Sequence, residues 1–397
     1  MPDYKYLIVG GGMTAAAAVD GIRETDGEGS IGVISAETHA PYNRPPLTKG
    51  LWQGKPEQSI FRHTPTQNVS LHLGRTANQL DPATKRVSDD KGTTYGYEKL
   101  LLATGGYPRR LMFGGDDILY FRSLDDYHRL RQWSAQGEHF AVIGGGFIGS
   151  EIAAALANNG KRVTMVFPEA GICSRLFPRD LTDFVTDYYR QKGVEVITEK
   201  MIAGLEKRDG KSVLKVRDAH SKSDEELAAD GVVAGLGIRP GVELAEKAGL
   251  QVKNGILVDA SLRTSQADIY AAGDVANFHN PVLDVRLRVE HEDNANTMGR
   301  LAGQAMAGQL VNYDHLPFFY SDLFDLGYEA VGETDSRLET VADWHEPMRK
   351  GVVYYLKAGR VRGVLLWNVW EQVDAARKLI AAAGPFDANS LKGRLPA

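Results

Sequence analysis

Short apolar runs along the chain are followed at two places by the same arrangement of glycines. Residues 6–9 form an apolar run that predicts a buried strand, residues 10–12 are all glycine, and the alanine-rich segment 13–19 predicts a helix. Near the middle of the chain this order is repeated, with a predicted strand at 140–143, glycines at 144–146 and a predicted helix at 147–158. The repetition predicts a duplicated strand–loop–helix unit rather than a short solenoid repeat.

Further apolar runs extend this pattern. Each predicted helix leads to a second strand-like run, and three other runs end at glycine, which is typical of buried parallel strands that enter a tight turn. In chain order these runs lie at residues 31–35, 100–104, 162–167, 231–234 and 268–271.

The chain changes character at about residue 316, where it becomes aromatic and strand-like. Residues 350–356 and 360–367 predict two strands joined by the glycine-containing turn 357–359. A helix is expected at 371–383. The C-terminal part is therefore expected to be a smaller α+β region.

The composition narrows the possible functions. The 397 residues include 46 Lys and Arg against 51 Asp and Glu, a formal charge of −5, and 43% are apolar. This is typical of a globular protein, and the charge argues against a nucleic-acid binder that works by bulk charge. The single cysteine, Cys173, excludes an internal disulfide framework, a cysteine-rich zinc site and a dithiol pair. It also favours a reducing compartment, so we expect a cytoplasmic protein.

No targeting or membrane segment is expected. The first nine residues run directly into a strand, without a basic leader followed by a separate apolar core. The longest apolar stretch, 140–157, contains Ser150 and Glu151. It therefore falls short of the ~20 uninterrupted apolar residues that span a bilayer.

The first glycine loop has the spacing of a cradle for dinucleotide phosphates. In Gly10-x-Gly12-x-x-Ala15 the first glycine allows a tight turn, the second lets a pyrophosphate approach the backbone, and the small third residue lets helix and strand pack closely. The helix N-terminus offers free N–H groups and a partial positive charge. Glu37 lies about 20 residues beyond the loop, where an acid hydrogen-bonds an adenosine ribose.

The second loop, Gly144-x-Gly146-x-x-Gly149, also lies between a strand and a helix, and Glu169 is its downstream acid. One such loop alone can be an ordinary glycine-rich turn. Two loops, each with strand, helix and acid in register, favour two bound dinucleotides. The common pairing is one FAD with one NAD(P)H.

The acidic residue of the second cradle indicates which nicotinamide cofactor binds, NADH or NADPH. Glu169 disfavours a 2′-phosphate by like-charge repulsion and so favours NADH. Arg175 is close enough in sequence to reduce this preference. We expect NADH as the substrate, with Arg175 also near the cofactor.

These elements predict an α/β fold of two Rossmann-like doubly wound domains, one for FAD and one for NAD, followed by a C-terminal α+β domain. Boundaries are expected near residues 111, 237 and 311. The FAD-binding domain is then discontinuous, formed by residues 1–111 and 238–311. The NAD-binding domain, 112–237, is inserted into it, and the C-terminal domain is 312–397.

The stretch PYNRPPLTK at residues 41–49 is more specific than either glycine loop. Together with several shorter motifs it resembles the apoptosis-inducing factor family, which belongs to a larger group of FAD-containing ferredoxin and rubredoxin reductases. The resemblance runs from about residue 4 to residue 380. The shorter motifs are YEKL at 97–100, ATGG at 103–106, GGGFIGSE at 144–151, AGD at 272–274 and VEH at 289–291.

The chain departs from the family pattern in three ways. The segment 332–351 is short, so the long insertion of the animal protein's C-terminal domain is missing, which argues against a cell-death or DNA-binding role. Tyr320 stands where the family often has a Trp against the flavin. Ala36 stands where a first acid often follows the second strand, which leaves Glu37 alone.

The resemblance implies roles for residues near the flavin. Lys49 and Glu151 form an ion pair beside it, in which a lysine near N5 raises the flavin potential and Glu151 orients the lysine; two unrelated surface charges are the alternative. Phe147 shields the flavin face until nicotinamide displaces it, or is simply a core residue. His291 and Tyr320 border the active site.

Further cofactor contacts follow from the resemblance. Asp274 binds the ribityl chain, or is only a helix N-cap, and it is expected to begin a helix whose N-terminus stabilises negative charge near flavin N1. Arg44 and Arg122 contact FAD, with a solvated surface position as the alternative. The other expected contacts are Met13, Thr14, Ala77, Asn78, Ala103, Thr104, Gly105, Ile148, Gly235 and Gly237.

These observations predict a FAD-dependent NADH:acceptor oxidoreductase. Hydride passes from NADH to FAD N5, and electrons then go to a ferredoxin or rubredoxin, a quinone or another acceptor. Disulfide substrates are not expected, because they need a cysteine pair. The alternative is a redox-responsive flavoprotein whose long-lived NADH-reduced complex changes conformation or dimerises. Direct DNA binding through small basic clusters is weaker, because such clusters are typical of solvated surfaces. Both a monomer and a homodimer fit the sequence.

Overall fold

The structure is a computed structural model that describes residues 2–218 and 221–396. The chain divides into two compact units. The first unit consists of Met1–Arg44, Pro56–Tyr107 and Arg239–Phe319, and the second of Pro45–Lys55, Pro108–Ile238 and Tyr320–Ala397. The division into three domains stays a prediction.

The strands are, in chain order, β1 (Asp3–Val9), β2 (Ile31–Ile34), β3 (Val69–His72), β4 (Ala77–Asp81), β5 (Arg86–Asp89), β6 (Thr94–Leu102), β7 (Gly106–Pro108), β8 (Ile118–Tyr120), β9 (His139–Ile143), β10 (Arg162–Val166), β11 (Glu195–Ile197), β12 (Lys200–Arg208), β13 (Lys211–Asp218), β14 (Asp224–Ala229), β15 (Gly231–Ala234), β16 (Ile238–Pro240), β17 (Ile256–Leu257), β18 (Ile269–Ala271), β19 (Ala276–Asn280), β20 (Val285–Leu287), β21 (Phe318–Leu323), β22 (Leu326–Gly332), β23 (Glu339–Glu346), β24 (Lys350–Lys357) and β25 (Arg360–Trp367).

The α-helices are α1 (Met13–Arg23), α2 (Leu124–Gln136), α3 (Phe147–Asn158), α4 (Arg179–Gln191), α5 (Glu243–Lys247), α6 (Glu292–Met306), α7 (Val373–Ala381) and α8 (Ala388–Leu391). Short 3-10 helices include Pro45–Thr48, Gly50–Gln53 and Gly273–Val275. No helix of the described residues is both long and apolar enough to cross a bilayer.

A parallel sheet forms the centre of the first unit. Its strands are ordered β3-β2-β1-β6-β18, and the antiparallel strands β5 and β4 extend it beyond β6. Residues 6–9 of β1 are buried, as expected for a strand with neighbours on both sides and cover on both faces. The continuous apolar run that predicted this strand is therefore explained by its central position.

Helices α1 and α6 pack closely in the first unit through glycines. A Cβ atom at Gly303 of α6 would lie 2.1 Å from the carbonyl oxygen of Ala18 in α1, and one at Gly299 would lie 2.4 Å from the carbonyl oxygen of Thr14. Only residues without a side chain allow this backbone approach. The contact fixes the N-terminal turn of α6 relative to the first glycine loop.

The second unit contains its own parallel sheet, ordered β11-β10-β9-β15-β8. The strands β12, β13 and β14 form a separate antiparallel sheet. Toward the C-terminus a five-stranded antiparallel sheet, ordered β21-β22-β25-β24-β23, packs against α7.

The α/β fold with a C-terminal strand-rich part is confirmed. Helix α3 begins and ends at the predicted residues, and β25 spans the predicted 360–367. One expectation is wrong: Asp274 does not begin a helix. It lies in the single 3-10 turn Gly273–Val275, preceded by Ala272 as the N-cap residue and followed by β19.

The close packing of α1 and α6 leads to a stability prediction. We expect Gly303→Ala to lower Tm by about 2 °C or more, because overpacking costs about 1–3 kcal/mol and each kcal/mol lowers the Tm of a unit of this size by about 2–4 °C. Thermal unfolding followed by circular dichroism measures it. Gly27→Ala is the control, since a Cβ there meets nothing within 4 Å. Equal Tm values for the two variants would contradict the packing described.

Candidate active site

Two glycines of the first loop differ in their surroundings: Gly10 packs against neighbouring backbone, and Gly12 faces open space. Gly10 has φ of +116°, and a Cβ on it would lie 2.1 Å from the carbonyl oxygen of Ala103 at the end of β6. Gly12 is the N-cap of α1 and has no side-chain cap. A Cβ at Gly12 would meet only Nη2 of Arg44, at 4.0 Å. The N-terminus of α1 therefore opens onto a space that fits a pyrophosphate, with a guanidinium at its edge.

Glu37 is held by two donors beyond the end of β2. The Tyr42 hydroxyl donates to its Oε2 at 2.5 Å, and the Arg44 guanidinium donates to its Oε1 and forms an ion pair with it. A carboxylate fixed in this way is suited to accept hydrogen bonds from a ribose. Its role as the ribose ligand stays a prediction.

The second loop is built in the same way. A Cβ at Gly144 would lie 2.5 Å from the carbonyl oxygen of Gly235, and one at Gly149 would lie 2.0 Å from the carbonyl oxygen of Gly144. Gly146, the N-cap of α3, would meet nothing within 4 Å and has no side-chain cap. These two close contacts hold β9, β15 and α3 together, and Gly146 faces the space for a phosphate.

Two charged residues lie near the second loop. Glu169 follows β10 and accepts a hydrogen bond from Arg175 Nη2 at 2.9 Å. The Arg175 side chain is 89% exposed, so this ion pair is weak and easily rearranged. That both residues contact the nicotinamide cofactor stays a prediction.

The remaining predicted cofactor residues are distributed over several elements of the two units. Met13 and Thr14 begin α1, Ala77 and Asn78 begin β4, and Phe147 and Ile148 begin α3. Thr104 Oγ1 donates to the carbonyl oxygen of Gly241 at 2.7 Å, and the Arg122 backbone N–H donates to Asp126 just before α2. The predicted residues at 103–105 follow β6, and those at 235 and 237 follow β15.

A buried ion pair lies in the second unit. Lys49 Nζ contacts Glu151 Oε1, and the two side chains are only 14% and 7% exposed. Glu151 also accepts a hydrogen bond from Thr48 Oγ1 at 2.5 Å and one from Ser321 Oγ at 2.6 Å. Two hydroxyls and an ammonium thus satisfy a carboxylate whose charge is otherwise costly to bury.

The predicted catalytic residues divide between the two units. Tyr320 lies with the ion pair, its ring centroid 5.5 Å from Lys49 Nζ. His291 lies in the first unit, where its ring stacks on Phe319 at 4.2 Å. Burial lowers the pKa of His291 to about 4, against the opposing effect of Asp274 and Asp293. The imidazole is therefore neutral at pH 7 and is not a source of positive charge.

The helix that the sequence assigned to Asp274 is supplied by another segment. Helix α6 packs against the turn Gly273–Val275, and His291 is its N-cap residue. The Asp274 carbonyl accepts a hydrogen bond from Arg288 Nη1 at 3.0 Å. A helix N-terminus near Asp274 is therefore present, but it comes from 18 residues further along the chain than the turn.

Thr48 and Ser321 are candidate site residues that sequence reasoning missed. Both are buried and both hydrogen-bond Glu151. Each is adjacent in sequence to a residue that was predicted for the site: Thr48 precedes Lys49, and Ser321 follows Tyr320. A hydroxyl beside a charged residue is common on protein surfaces, so only the folded geometry distinguishes them.

Comparison with known proteins decides the family. The model for pyridine nucleotide-disulphide oxidoreductases matches residues 4–299. The chain belongs to this family. A second model, the C-terminal domain of mitochondrion-associated apoptosis-inducing factor, matches residues 302–349 and 343–382. Pyridine nucleotide-disulphide oxidoreductases use FAD and NAD(H), which confirms the two expected cofactors at the level of the family.

The relatives include both groups that the sequence resembles. The chain is 35% identical to apoptosis-inducing factor 1, mitochondrial, of Dictyostelium discoideum, over 95% of this chain and 78% of the relative. It is 33% identical to the ferredoxin–NAD(+) reductase component of the anthranilate 1,2-dioxygenase system of Burkholderia cepacia, over 97% and 96%. The structure of putidaredoxin reductase in covalent complex with putidaredoxin superposes with a TM-score of 0.89 at 28% identity, over 98% and 95% of the two chains. The resemblance to this family is confirmed.

The two open N-cap glycines give a test of which loop serves which cofactor. We expect Gly12→Ala to lose FAD while its far-ultraviolet circular dichroism stays that of the wild type, because the new methyl group occupies only ligand space. We expect Gly146→Ala to retain FAD and to raise the Kd for NADH at least about tenfold, which corresponds to ~1.4 kcal/mol. FAD content and NADH titration measure the two effects. Loss of FAD from both variants, or from neither, would contradict the assignment.

Proposed function

We propose that this protein is a FAD-dependent NADH:acceptor oxidoreductase that passes electrons to a ferredoxin- or rubredoxin-type protein, a quinone or another acceptor. The observation that supports it most is the buried Lys49–Glu151 pair. A buried charge pair is weak evidence for stability, and such pairs often mark functional sites. The family and the two open cradles support the two cofactors.

The residues of the chain have separate tasks in this reaction. When bound, FAD accepts a hydride from NADH at N5 and releases the electrons singly or in pairs. Lys49 supplies a fixed positive charge beside the flavin site. This charge stabilises the negative charge that a bound flavin gains on reduction. Glu151 holds that ammonium in one place, and Thr48 and Ser321 hold Glu151. The free N–H groups at the starts of α1 and α3 bind phosphates.

An iron–sulfur acceptor is the best supported of the acceptors. The Burkholderia relative is a ferredoxin–NAD(+) reductase component, and the superposed putidaredoxin reductase was solved in complex with putidaredoxin. Disulfide reduction needs a pair of cysteines in the protein, and Cys173 is the only cysteine of the chain. Burial raises the pKa of the Cys173 thiol to about 12, with an opposing hydrogen bond from Ser150.

Lys49 tests the role of the ion pair. We expect Lys49→Ala to retain FAD but to reduce it with NADH at least about tenfold more slowly, since a preorganised charge of this kind contributes about 2–4 kcal/mol to a barrier. Anaerobic stopped-flow absorbance measures the rate. Lys55→Ala, in the same segment and exposed, is the matched control and keeps the wild-type rate.

A double variant separates two explanations of that result. Lys49→Ala leaves the Glu151 carboxylate buried without its cation, which is itself destabilising. Lys49→Met with Glu151→Gln removes both charges. If the double variant regains the wild-type rate, the lysine has no role of its own and this part of the proposal is wrong.

Glu169 tests the preference for NADH. We expect the wild type to favour NADH over NADPH in kcat/KM, and Glu169→Ala to reduce that ratio by about tenfold to a hundredfold, because a hydrogen bond to a charged group contributes about 1.5–3 kcal/mol. Arg175→Ala is the matched variant and increases the ratio, since it removes the cation that pairs with Glu169. A wild type that favours NADPH would overturn the assignment.

The redox-switch function is the second candidate, and the apoptosis-inducing factor relative and C-terminal domain match favour it. The two functions differ in reoxidation. An enzyme is reoxidised quickly by an iron–sulfur partner, and a switch keeps a reduced complex with NAD⁺ for a long time. Stopped-flow reoxidation of the NADH-reduced protein by a bacterial ferredoxin distinguishes them.

A further inference from the structure

A cavity of about 230 Å³ lies against the Lys49–Glu151 pair in the second unit. Its inner wall includes the buried residues Thr48, Glu151 and Ala154, and its rim includes the exposed residues Asn158 and Asp322. A water molecule occupies about 30 Å³ of liquid, so there is room for several waters. The cavity therefore connects a buried charge pair with the protein surface.

The cavity runs away from the nicotinamide cradle. Glu151, Ala154 and Asn158 lie at spacings of three and four residues, so they share one face of α3. The cradle is at the N-terminal end of this helix, at Gly146, and the cavity follows the same helix to its C-terminal end. The phosphate cradle of the second loop therefore does not explain the cavity.

The proposed function leaves a proton to be removed. A hydride delivers two electrons and one proton to the flavin. An iron–sulfur acceptor takes only electrons, one at a time. When the second electron has left, the N–H bond formed by the hydride breaks and one H⁺ remains for the protein to carry away. Each NADH oxidised by two one-electron acceptors thus yields NAD⁺, two reduced acceptors and one H⁺.

We propose that the cavity is the exit path for this proton, with Asp322 as the group that exchanges it with solvent. Lys49 takes up the proton as it passes one of its own to Glu151, so the lysine charge does not change. Glu151 then returns to its ionised state by protonating cavity water, and Asp322 relays the proton to the surface. Asp322 receives the proton by way of Glu151 and cavity water, and the inference rests on the proposed function.

The other titratable groups near Glu151 are unsuited to this task. Burial raises the pKa of the Cys173 thiol to about 12 and raises the pKa values of Tyr189 and Tyr328 well above the usual range. These three groups keep their protons at neutral pH. Asp322 and Glu151 are the carboxyl groups among the described residues that line the cavity.

Asp322 is also coupled to the ion pair. Loss of hydration raises the pKa of Asp322, Lys49 lowers it, and Glu151 raises it. A carboxyl group with a raised pKa exchanges protons closer to neutral pH than an ordinary aspartate does. Because the Glu151 charge raises the pKa of Asp322, protonation of Glu151 lowers the pKa of Asp322.

The kinetic test separates the two half-reactions in the holoenzyme. We expect Asp322→Asn to be reduced by NADH at the wild-type rate, since that step releases no proton to the protein. Reoxidation by ferricyanide, a one-electron acceptor that takes no proton, is expected to slow at least about tenfold, with a larger solvent deuterium isotope effect. Proton release, followed with a pH-indicator dye, is expected to slow by the same factor.

Three variants complete this test. Asp325→Asn removes the same charge three residues away, outside the cavity lining, and is expected to keep the wild-type rates. Asp322→Glu keeps a carboxyl group and is expected to restore proton release. Ala154→Leu fills the cavity from its inner wall and is expected to slow proton release without changing any charge.

A measurement without turnover tests the coupling directly. ¹³C-NMR titration of aspartate carboxyl groups is expected to show one signal, absent from Asp322→Asn, with a raised pKa that rises further in Lys49→Met and falls in Glu151→Gln. The inference is overturned if NADH reduces the protein normally but proton release is unchanged in both Asp322→Asn and Ala154→Leu, or if the Asp322 titration ignores both partners. Failure of NADH to reduce bound FAD would instead overturn the proposed function.

Discussion

The arrangement of the candidate active site in the second unit depends on one buried carboxylate. Glu151 is almost inaccessible to water, and its charge is stable there because an ammonium and two hydroxyls replace the lost hydration. The donors lie on two segments, residues 48–49 and strand β21, and the carboxylate lies on a third, helix α3; the three segments are far apart in the chain. Satisfying one charge therefore fixes the relative positions of all three segments within the second unit.

Helix α3 links the phosphate cradle to this carboxylate. Its first turn packs against β9 and β15 through Gly144, Gly149 and Gly235, which leave no room for a side chain. Because each residue of a helix turns by about 100°, fixing the rotation of the first turn fixes the direction of Glu151 one turn later. The same contacts that open the cradle at Gly146 thus aim the carboxylate toward Lys49.

The features that the sequence predicted best are those determined by residues adjacent in the chain. Both glycine loops, the strands before them and the limits of α3 follow from local pattern, because apolar runs and glycine spacing determine strand, turn and helix directly. The spacing also separated the glycine that allows close packing, Gly149, from the one that faces a ligand, Gly146. It did not identify the packing partner of Gly144, the carbonyl oxygen of Gly235, which is brought near only by folding.

What the sequence missed is set by contacts between distant segments. The helix assigned to Asp274 is α6, which reaches that turn because its glycines pack on α1, and no local signal at 272–275 reports it. Thr48 and Ser321 gain their importance from a carboxylate more than 100 residues away from either. The cavity beside Asp322 is likewise a product of tertiary packing.

The central claim is that one chain holds two dinucleotides so that a hydride passes between them. Anaerobic titration of the purified, FAD-loaded protein with NADH, followed by the visible flavin absorbance, tests it most directly. The account predicts that the flavin band bleaches in proportion to added NADH, with one NADH oxidised per FAD. A protein that takes up no FAD, or whose flavin band is unchanged by excess NADH and NADPH, would contradict it.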